Sequence, residues 1–256
     1  IIGVIGPHID EHVKAIACET CHVPQFARAH PTQMSIDFSA AGKDGMPPRL
    51  QFDRPVYDKR YGIRTWGRNV VPVYRWFDGN RQAYLLGDTI DPSKTVVLNA
   101  PLGDKRNPRA KIYAFKVHRA VQPYDSGRNV LAAVKFEDGF WTHWDWTKAV
   151  AEGMAAVGQE FSGEVGFVET EMYSSIHHEV PPAKRSLGCA DCHAPRNIVC
   201  ARCHANAAGM SQPEHTRRVY PETPDRIDFK ALGYEGDPAV TGGRFTVDIR
   251  RGRPVK

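Results

Sequence analysis

Six cysteines constrain this chain more than any other feature, because all six fall into one five-residue pattern used three times. The copies are Cys18-Glu19-Thr20-Cys21-His22, Cys189-Ala190-Asp191-Cys192-His193 and Cys200-Ala201-Arg202-Cys203-His204. C-x-x-C-H is the attachment signature of c-type haem. Two thiols add across the haem vinyl groups, and the histidine that follows reaches the iron from one face, so one helical turn brings the three groups together. Three disulfides would not explain a histidine after every pair. A zinc site built from Cys189, Cys192, Cys200 and Cys203 has acceptable spacing, but it leaves His193, His204 and the whole first motif without a role. A thioredoxin-like centre calls for one C-x-x-C after a strand, not three followed by histidine. The reading is three covalently attached haems c, bound through Cys18, Cys21, Cys189, Cys192, Cys200 and Cys203, with His22, His193 and His204 as proximal iron ligands.

Composition is consistent with a chain wrapped around cofactors. Hydrophobic residues make up 41% of 256 residues, with 19 prolines and 22 glycines, and mean hydropathy is -0.45. This is lean for a core of that size, and haem macrocycles supply the missing apolar surface. The formal charge of +5 does not indicate nucleic acid. Three haems would bring about six propionate charges against roughly three from ferric iron, and the basic doublets Arg217-Arg218 and Arg250-Arg251 are isolated. No apolar run reaches the length of a membrane span. The opening IIGVIG lacks the basic start and cleavage site of a signal peptide and is expected to begin a mature or trimmed chain, or to be a buried strand. Haem attachment of this kind takes place on the outer side of an energy-transducing membrane, so an extracytoplasmic location is expected, in the periplasm or on an outer surface.

Eleven histidines are present, and three are proximal ligands. Bis-histidine coordination needs three more. A second imidazole makes the iron low-spin, which suits electron transfer, whereas catalysis needs an open position. His215 follows the third motif closely and either ligates its haem or is a solvated loop residue. His118 lies in the alternating run KIYAFKVHRAVQPYD, which can point one side chain inward. One of His177 and His178 is expected to ligate while the other faces solvent. His12 stands awkwardly for the first haem and suits a different one. His143, in FWTHWDW, is either a ligand or packed among aromatics. His8 and His30 carry less information. The surplus also fits ligation across a chain boundary.

The expected fold class is α+β with much irregular structure, a multihaem cytochrome c fold in which the chain wraps its haems as one domain over 1–256. Residues 1–49 form the first haem segment, with a helix over Glu11–Thr20. Residues 50–140 form a strand-rich scaffold containing NVVPVYRWF, AYLLGD, TVVLNA and KIYAFKV, separated by turns such as Asp78-Gly79-Asn80. Residues 141–220 are read as helical, with one helix over Asp145–Val157 ending near Gly158 and another over Glu169–Glu179, before two closely spaced haems. Residues 221–256 are read as an extended polar tail.

The segments ACETCHVPQFAR, PTQM, NVVPVYRWFDG, YLLGDTIDPSK, NAPLGD, KVHRAVQPYD, SGEVGFVETEMY, GCADCH and FKALGYEGDP together resemble the C-terminal part of the octahaem tetrathionate reductase family. The resemblance covers most of the chain. It implies haem-wrapping architecture akin to multihaem nitrite reductases and hydroxylamine oxidoreductases, with His118 and His178 as distal haem ligands. The family's larger N-terminal part and its C-x-x-C-K catalytic haem have no match here. The stretch from about Pro195 to Arg226, with the third motif and His215, looks like an insertion that carries its own distal ligand.

The leading expectation is therefore an electron carrier rather than an enzyme: three bis-histidine haems forming a conduit within a larger redox complex. Its partners would be other redox proteins, most naturally further cytochrome subunits. The alternatives are a reductase of a small sulfur or nitrogen oxyanion at one five-coordinate haem, and a protomer of an extracellular cytochrome filament.

Overall fold

The computed structural model describes residues 12–193, 219–220, 226–241, 243, 247–248 and 253–254. His8, the third motif (Cys200, Cys203, His204) and His215 lie outside the described residues, as does IIGVIG.

An eight-stranded mixed sheet organises the chain. Its strands are β1 (Thr32–Asp37), β2 (Tyr57–Asp58), β3 (Gly62–Gly67), β4 (Val73–Phe77), β5 (Val96–Val97), β6 (Lys111–Asp125), β7 (Val130–Leu131) and β8 (Val165–Ser175). The order is β2-β3-β1-β6-β8-β5, and β4 and β7 also pair with β6. β6 is the spine because its Val, Ile, Tyr and Phe suit a pleated, largely buried surface. It runs parallel to β1 and antiparallel to β8, with an unbroken register from Phe115↔Ser175 to Asp125↔Val165. Alternation along β6 gives it two faces. Ile112 and Ala114 pack with Tyr74, Trp76, Ile227 and Leu232, while Phe115 and Val117 pack with Tyr173 on the other side. Short strand pairs, turns and a few helices make up the rest, so the fold is α+β with much irregular structure.

Three expectations are corrected. The run read as a helix over Glu169–Glu179 is strand β8. Its Glu and Met content favours a helix, but β-branched and aromatic side chains alternate with them, and pairing with β6 buries Val168, Thr170 and Tyr173. The helix over Glu11–Thr20 is broken. Residues 12–15 are helical, Ile16 bridges to Ile112, and α1 (Cys18–His22) starts anew. Nor is the tail loose throughout: Ile227 and Leu232 are buried, and Trp76 Nε1–H donates to Leu232 O at 2.9 Å. Two expected strands also shorten. NVVPVYRWF contributes only Val73–Phe77, after Pro72, and AYLLGD leaves its strand at Ala83 to turn at Leu85–Asp88.

The helix expected over Asp145–Val157 is present as α2 (Trp146–Ala156). The Asp145 carboxylate accepts from Lys148 N–H at 3.0 Å at its start, and Gly158 turns left-handed (φ +69°) past its end. Gly153 on α2 has no room for a side chain, since a Cβ would meet Ala133 O at 2.4 Å. This close approach beds α2 against the chain that follows β7. Phe140 and Trp146 stack at 3.8 Å beside it, the centre of an aromatic cluster. Among the described residues no helix is long and apolar enough to cross a membrane.

Candidate haem-attachment site

The first motif forms α1, docked on the start of β6. Thr20, buried, donates its hydroxyl to Ile112 O at 2.7 Å, and Ala17 N–H donates to the same carbonyl at 3.0 Å. Beyond the motif, Val23 and Phe26 are buried with Ile176, which follows β8. Glu19 pairs with His177, Oε1 to Nδ1 at 3.1 Å. Partial burial acts to raise the Glu19 carboxyl, but its backbone hydrogen bond and His177 outweigh it and leave the group below its ordinary value.

The second motif forms α3 (Cys189–Cys192), with His193 in extended conformation directly after it. Asp191, almost fully buried, organises this end. Its carboxylate accepts from Gly188 N–H at 2.9 Å and from the N–H groups of Val219 and Tyr220, each at 2.8 Å. His193 Nδ1 is 2.6 Å from Asp237 Oδ1, and its ring stacks on Phe229 with centroids 5.4 Å apart. An imidazole that donates Nδ1–H to a carboxylate keeps its Nε2 lone pair for a metal, and the carboxylate fixes the ring's orientation.

The two motifs, far apart in sequence, lie side by side. Leu187 N–H, two residues before Cys189, donates to Cys21 O at 2.9 Å. Burial first, then the neighbouring Cys189 and Cys18, push the Cys21 thiol up to about 11. Burial and Cys21 push the Cys192 thiol up as well. All four cysteines are free of disulfides. These residues fit covalent haem: paired thiols on a helical turn, an imidazole oriented through Nδ1, and aromatic rings packed beside it. His12 also comes here, with its ring 6.1 Å from that of His193 and edge-on to it.

The remaining candidates are spread out. His118 sits on the sheet face of β6 that also carries Ile112, six residues further along and so about 20 Å away. Gln33 Nε2–H donates to His118 Nε2 at 3.2 Å, which requires a lone pair on that nitrogen. Burial, and then Lys116, lower the pKa of His118 and favour the neutral ring. His178 is exposed just after His177. His143 lies in the aromatic cluster, where its Nδ1 accepts from Asp145 N–H at 3.1 Å and its Nε2 is 3.8 Å from Glu152. Sequence reasoning missed Thr20, Asp191, Phe229 and Asp237. Two of them sit inside the motifs at variable positions, and the other two lie in the tail with no pattern around them.

The family model described as bacterial cytochrome c matches residues 33–196. The crystal structure of an octahaem cytochrome c from Shewanella oneidensis is similar at 34% identity with a TM-score of 0.74, over 90% of this chain and 48% of that one. The chain thus spans about half the length of that protein. No curated protein matches. The chain belongs to the bacterial cytochrome c family, which holds its haem covalently, and is related to multihaem c-type cytochromes.

Proposed function

We propose that this chain is a trihaem electron carrier with bis-histidine, low-spin haems, working outside the cytoplasm within a larger redox complex. The observation that carries the reading is the juxtaposition of Cys18–His22 and Cys189–His193 through the Leu187–Cys21 hydrogen bond. Attachment points that close would make their cofactors neighbours, and the third motif begins only eleven residues after the second in sequence. Bound haem c supplies an iron that exchanges single electrons.

The chain's own residues bind and orient. Cys18, Cys21, Cys189, Cys192, Cys200 and Cys203 form the thioethers, and His22, His193 and His204 take the proximal positions. Asp237 holds the His193 ring in one tautomer, and Phe229 packs against its face. For the distal positions we propose His118, His178 and His215, with His12 serving a haem other than the first. His118 is suited by its neutral ring and its Nε2 lone pair, which the Gln33 amide would have to release on ligation. His143 is placed last among the candidates, because its Nδ1 already accepts the Asp145 N–H and its Nε2 must then carry the proton. We further propose that residues 1–256 act as one haem-wrapping unit related to the C-terminal part of octahaem tetrathionate reductases, and that other cytochromes are its partners.

Low-temperature EPR of the fully oxidised protein tests the reading. The expected result is three low-spin ferric signals. A stoichiometric high-spin signal that responds to nitrite, sulfite or tetrathionate would replace the carrier with a reductase.

A further inference from the structure

Among the described residues, six of the twelve exposed large apolar side chains gather in two places, at opposite edges of the sheet. The first is the hairpin of Leu50–Gln51 and Arg54–Pro55, which extends past the β2–β3 edge. Arg64 N–H donates to Val56 O at 2.6 Å, and Val56 N–H donates to Arg49 O at 2.9 Å. Paired residues on such a ribbon share a face. Gln51 and Arg54 face Trp66: Gln51 Oε1 accepts from Trp66 N–H at 2.8 Å, and the Arg54 guanidinium lies 5.9 Å from the indole centroid. Leu50 and Pro55 are therefore turned away from this brace, and Leu50 is 66% exposed. Phe52 and Asp53 form the turn with φ of +50° and +60°, a conformation that suits Asn or Gly and strains a bulky residue. Phe52 is exposed at this tip, and Met46 is exposed just before the hairpin. Seven basic residues and three acidic ones lie between 43 and 68, which gives this stretch +4 of the chain's +5. Lys59, Arg60 and Arg64 pair with Asp44 or Asp58, whereas Lys43, Arg49 and Arg54 have no ion pair among the described residues.

The second place is the turn Leu85–Asp88, beyond the β5 edge, where Tyr84 N–H donates to Leu98 O at 2.9 Å. Gly87 lies against the side chain of Gln159, so the turn is continuous with the end of α2. Leu85, 65% exposed, stands here with exposed Leu86 and Val157. Residues 84–91 and 157–164 hold four carboxylates and no basic side chain. Two cations reach them, Lys94 on Asp91 and Arg128 on Glu160, and an acidic excess remains. Each place thus sets apolar side chains in a rim of one charge, and the two rims are opposite in sign. We infer that the hairpin of one copy of this chain seats on the Leu85–Val157 patch of a second copy. Leu50 and Phe52 meet Leu85, Leu86 and Val157, and the hairpin's arginines meet the acidic rim. The two surfaces differ and lie at opposite sheet edges, so the contact is head-to-tail and extends into a row of copies. An anionic membrane suits the hairpin less well, because Asp53 would enter it beside Phe52, whereas a protein interface leaves that carboxylate at a wet rim. Neither surface contains a motif cysteine or a candidate ligand histidine, and the contact does not depend on the haem count.

Sedimentation velocity of the purified holoprotein over a concentration series, at low and at high salt, tests this contact. The wild type should grow past the dimer as concentration rises and dissociate at high salt. Two double variants separate the faces: Leu50→Ser with Phe52→Gly, and Leu85→Ser with Leu86→Ser. Glycine suits the left-handed turn position, so Phe52→Gly removes the side chain and relieves the turn. Should the Leu85 and Leu86 pair fail to fold, Val157→Ser at the exposed end of α2 takes its place. Each variant alone should associate at least about tenfold more weakly than the wild type. Mixed in equal amounts, the two should form a heterodimer and nothing larger, because the first keeps its acidic patch and the second its hairpin. A wild type that stays monomeric or stops at the dimer would overturn the head-to-tail contact. So would association undiminished in either variant, or a mixture that yields no heterodimer. A monomeric wild type that binds phosphatidylglycerol vesicles, and loses them with Leu50→Ser and Phe52→Gly, would reassign the hairpin to a membrane.

Discussion

At Cys18–His22 the second variable residue of the motif is Thr20, and at Cys189–His193 the same slot holds Asp191. Both side chains are buried, yet they act in opposite senses. Thr20 donates one hydrogen bond to Ile112 O, on the long central strand. Asp191 accepts three, from Gly188 and from Val219 and Tyr220. The attachment chemistry fixes only the cysteines and the histidine, so the spare inward position is free to serve as an anchor. The first motif is moored to the sheet, and the second to chain that follows it, including Asp237 on His193. One motif depends on the scaffold, the other on the tail.

Substitutions can break this contrast. Of the two motif anchors Asp191→Ala should have the larger effect, because three partly buried N–H groups lose their acceptor at about 1 kcal/mol each. Denaturant unfolding of the holoprotein should show a loss of at least about 3 kcal/mol, and limited proteolysis should cut first near residue 220. Asp125→Ala is a control at the far end of β6, away from both motifs. The Asp125 carboxylate accepts from Gly127 N–H, Arg128 N–H and both the N–H and hydroxyl of Ser162. Burial acts to raise its pKa, but the Ser162, Arg128 and Gly127 bonds outweigh it and hold the carboxyl below its ordinary value. Its stabilisation is therefore full above the unfolded-state value near 4 and fades as pH falls through the lower folded value. Asp125→Ala should cost about 3–4 kcal/mol at pH 7, at about 1 kcal/mol for each of its four bonds, and flatten the acid limb of the stability–pH curve, with no change in haem spectra.

Thr20→Val removes a single donor and should cost about 1 kcal/mol in the same unfolding experiment. A loss as large as that of Asp191→Ala would erase the proposed difference between the two motifs. Asp237→Asn should affect stability least, since the amide oxygen can still accept from His193. It removes the charge that makes the imidazole more electron-rich, so voltammetry should show one haem potential rising while the others stay put.

The two halves of this contrast differ in how far they could be read in the sequence. The three C-x-x-C-H motifs stood out because thioether chemistry demands two cysteines and a histidine at fixed, contiguous spacing. β6 was legible because its alternation is long and rich in β-branched and aromatic residues. β8 was not, since Glu169, Glu171 and Met172 dilute the same signal and only the pairing with β6 decides its conformation. The anchors were hidden for a related reason. Thr20 and Asp191 occupy positions the motif leaves free, and Asp237 meets His193 from 44 residues away. The tail's Ile227, Phe229 and Leu232 are too sparse to show a period, and their burial depends on a surface supplied by β4 and β6.

The most direct test is the mass of the intact holoprotein after thiol alkylation under denaturing conditions, paired with a pyridine haemochrome assay. The account predicts three haems per chain and no alkylated cysteine, with all six thiols taken up as thioethers. Alkylated cysteines at any of the three motifs, or fewer than three haems per chain in material matured by a complete attachment apparatus, would contradict it.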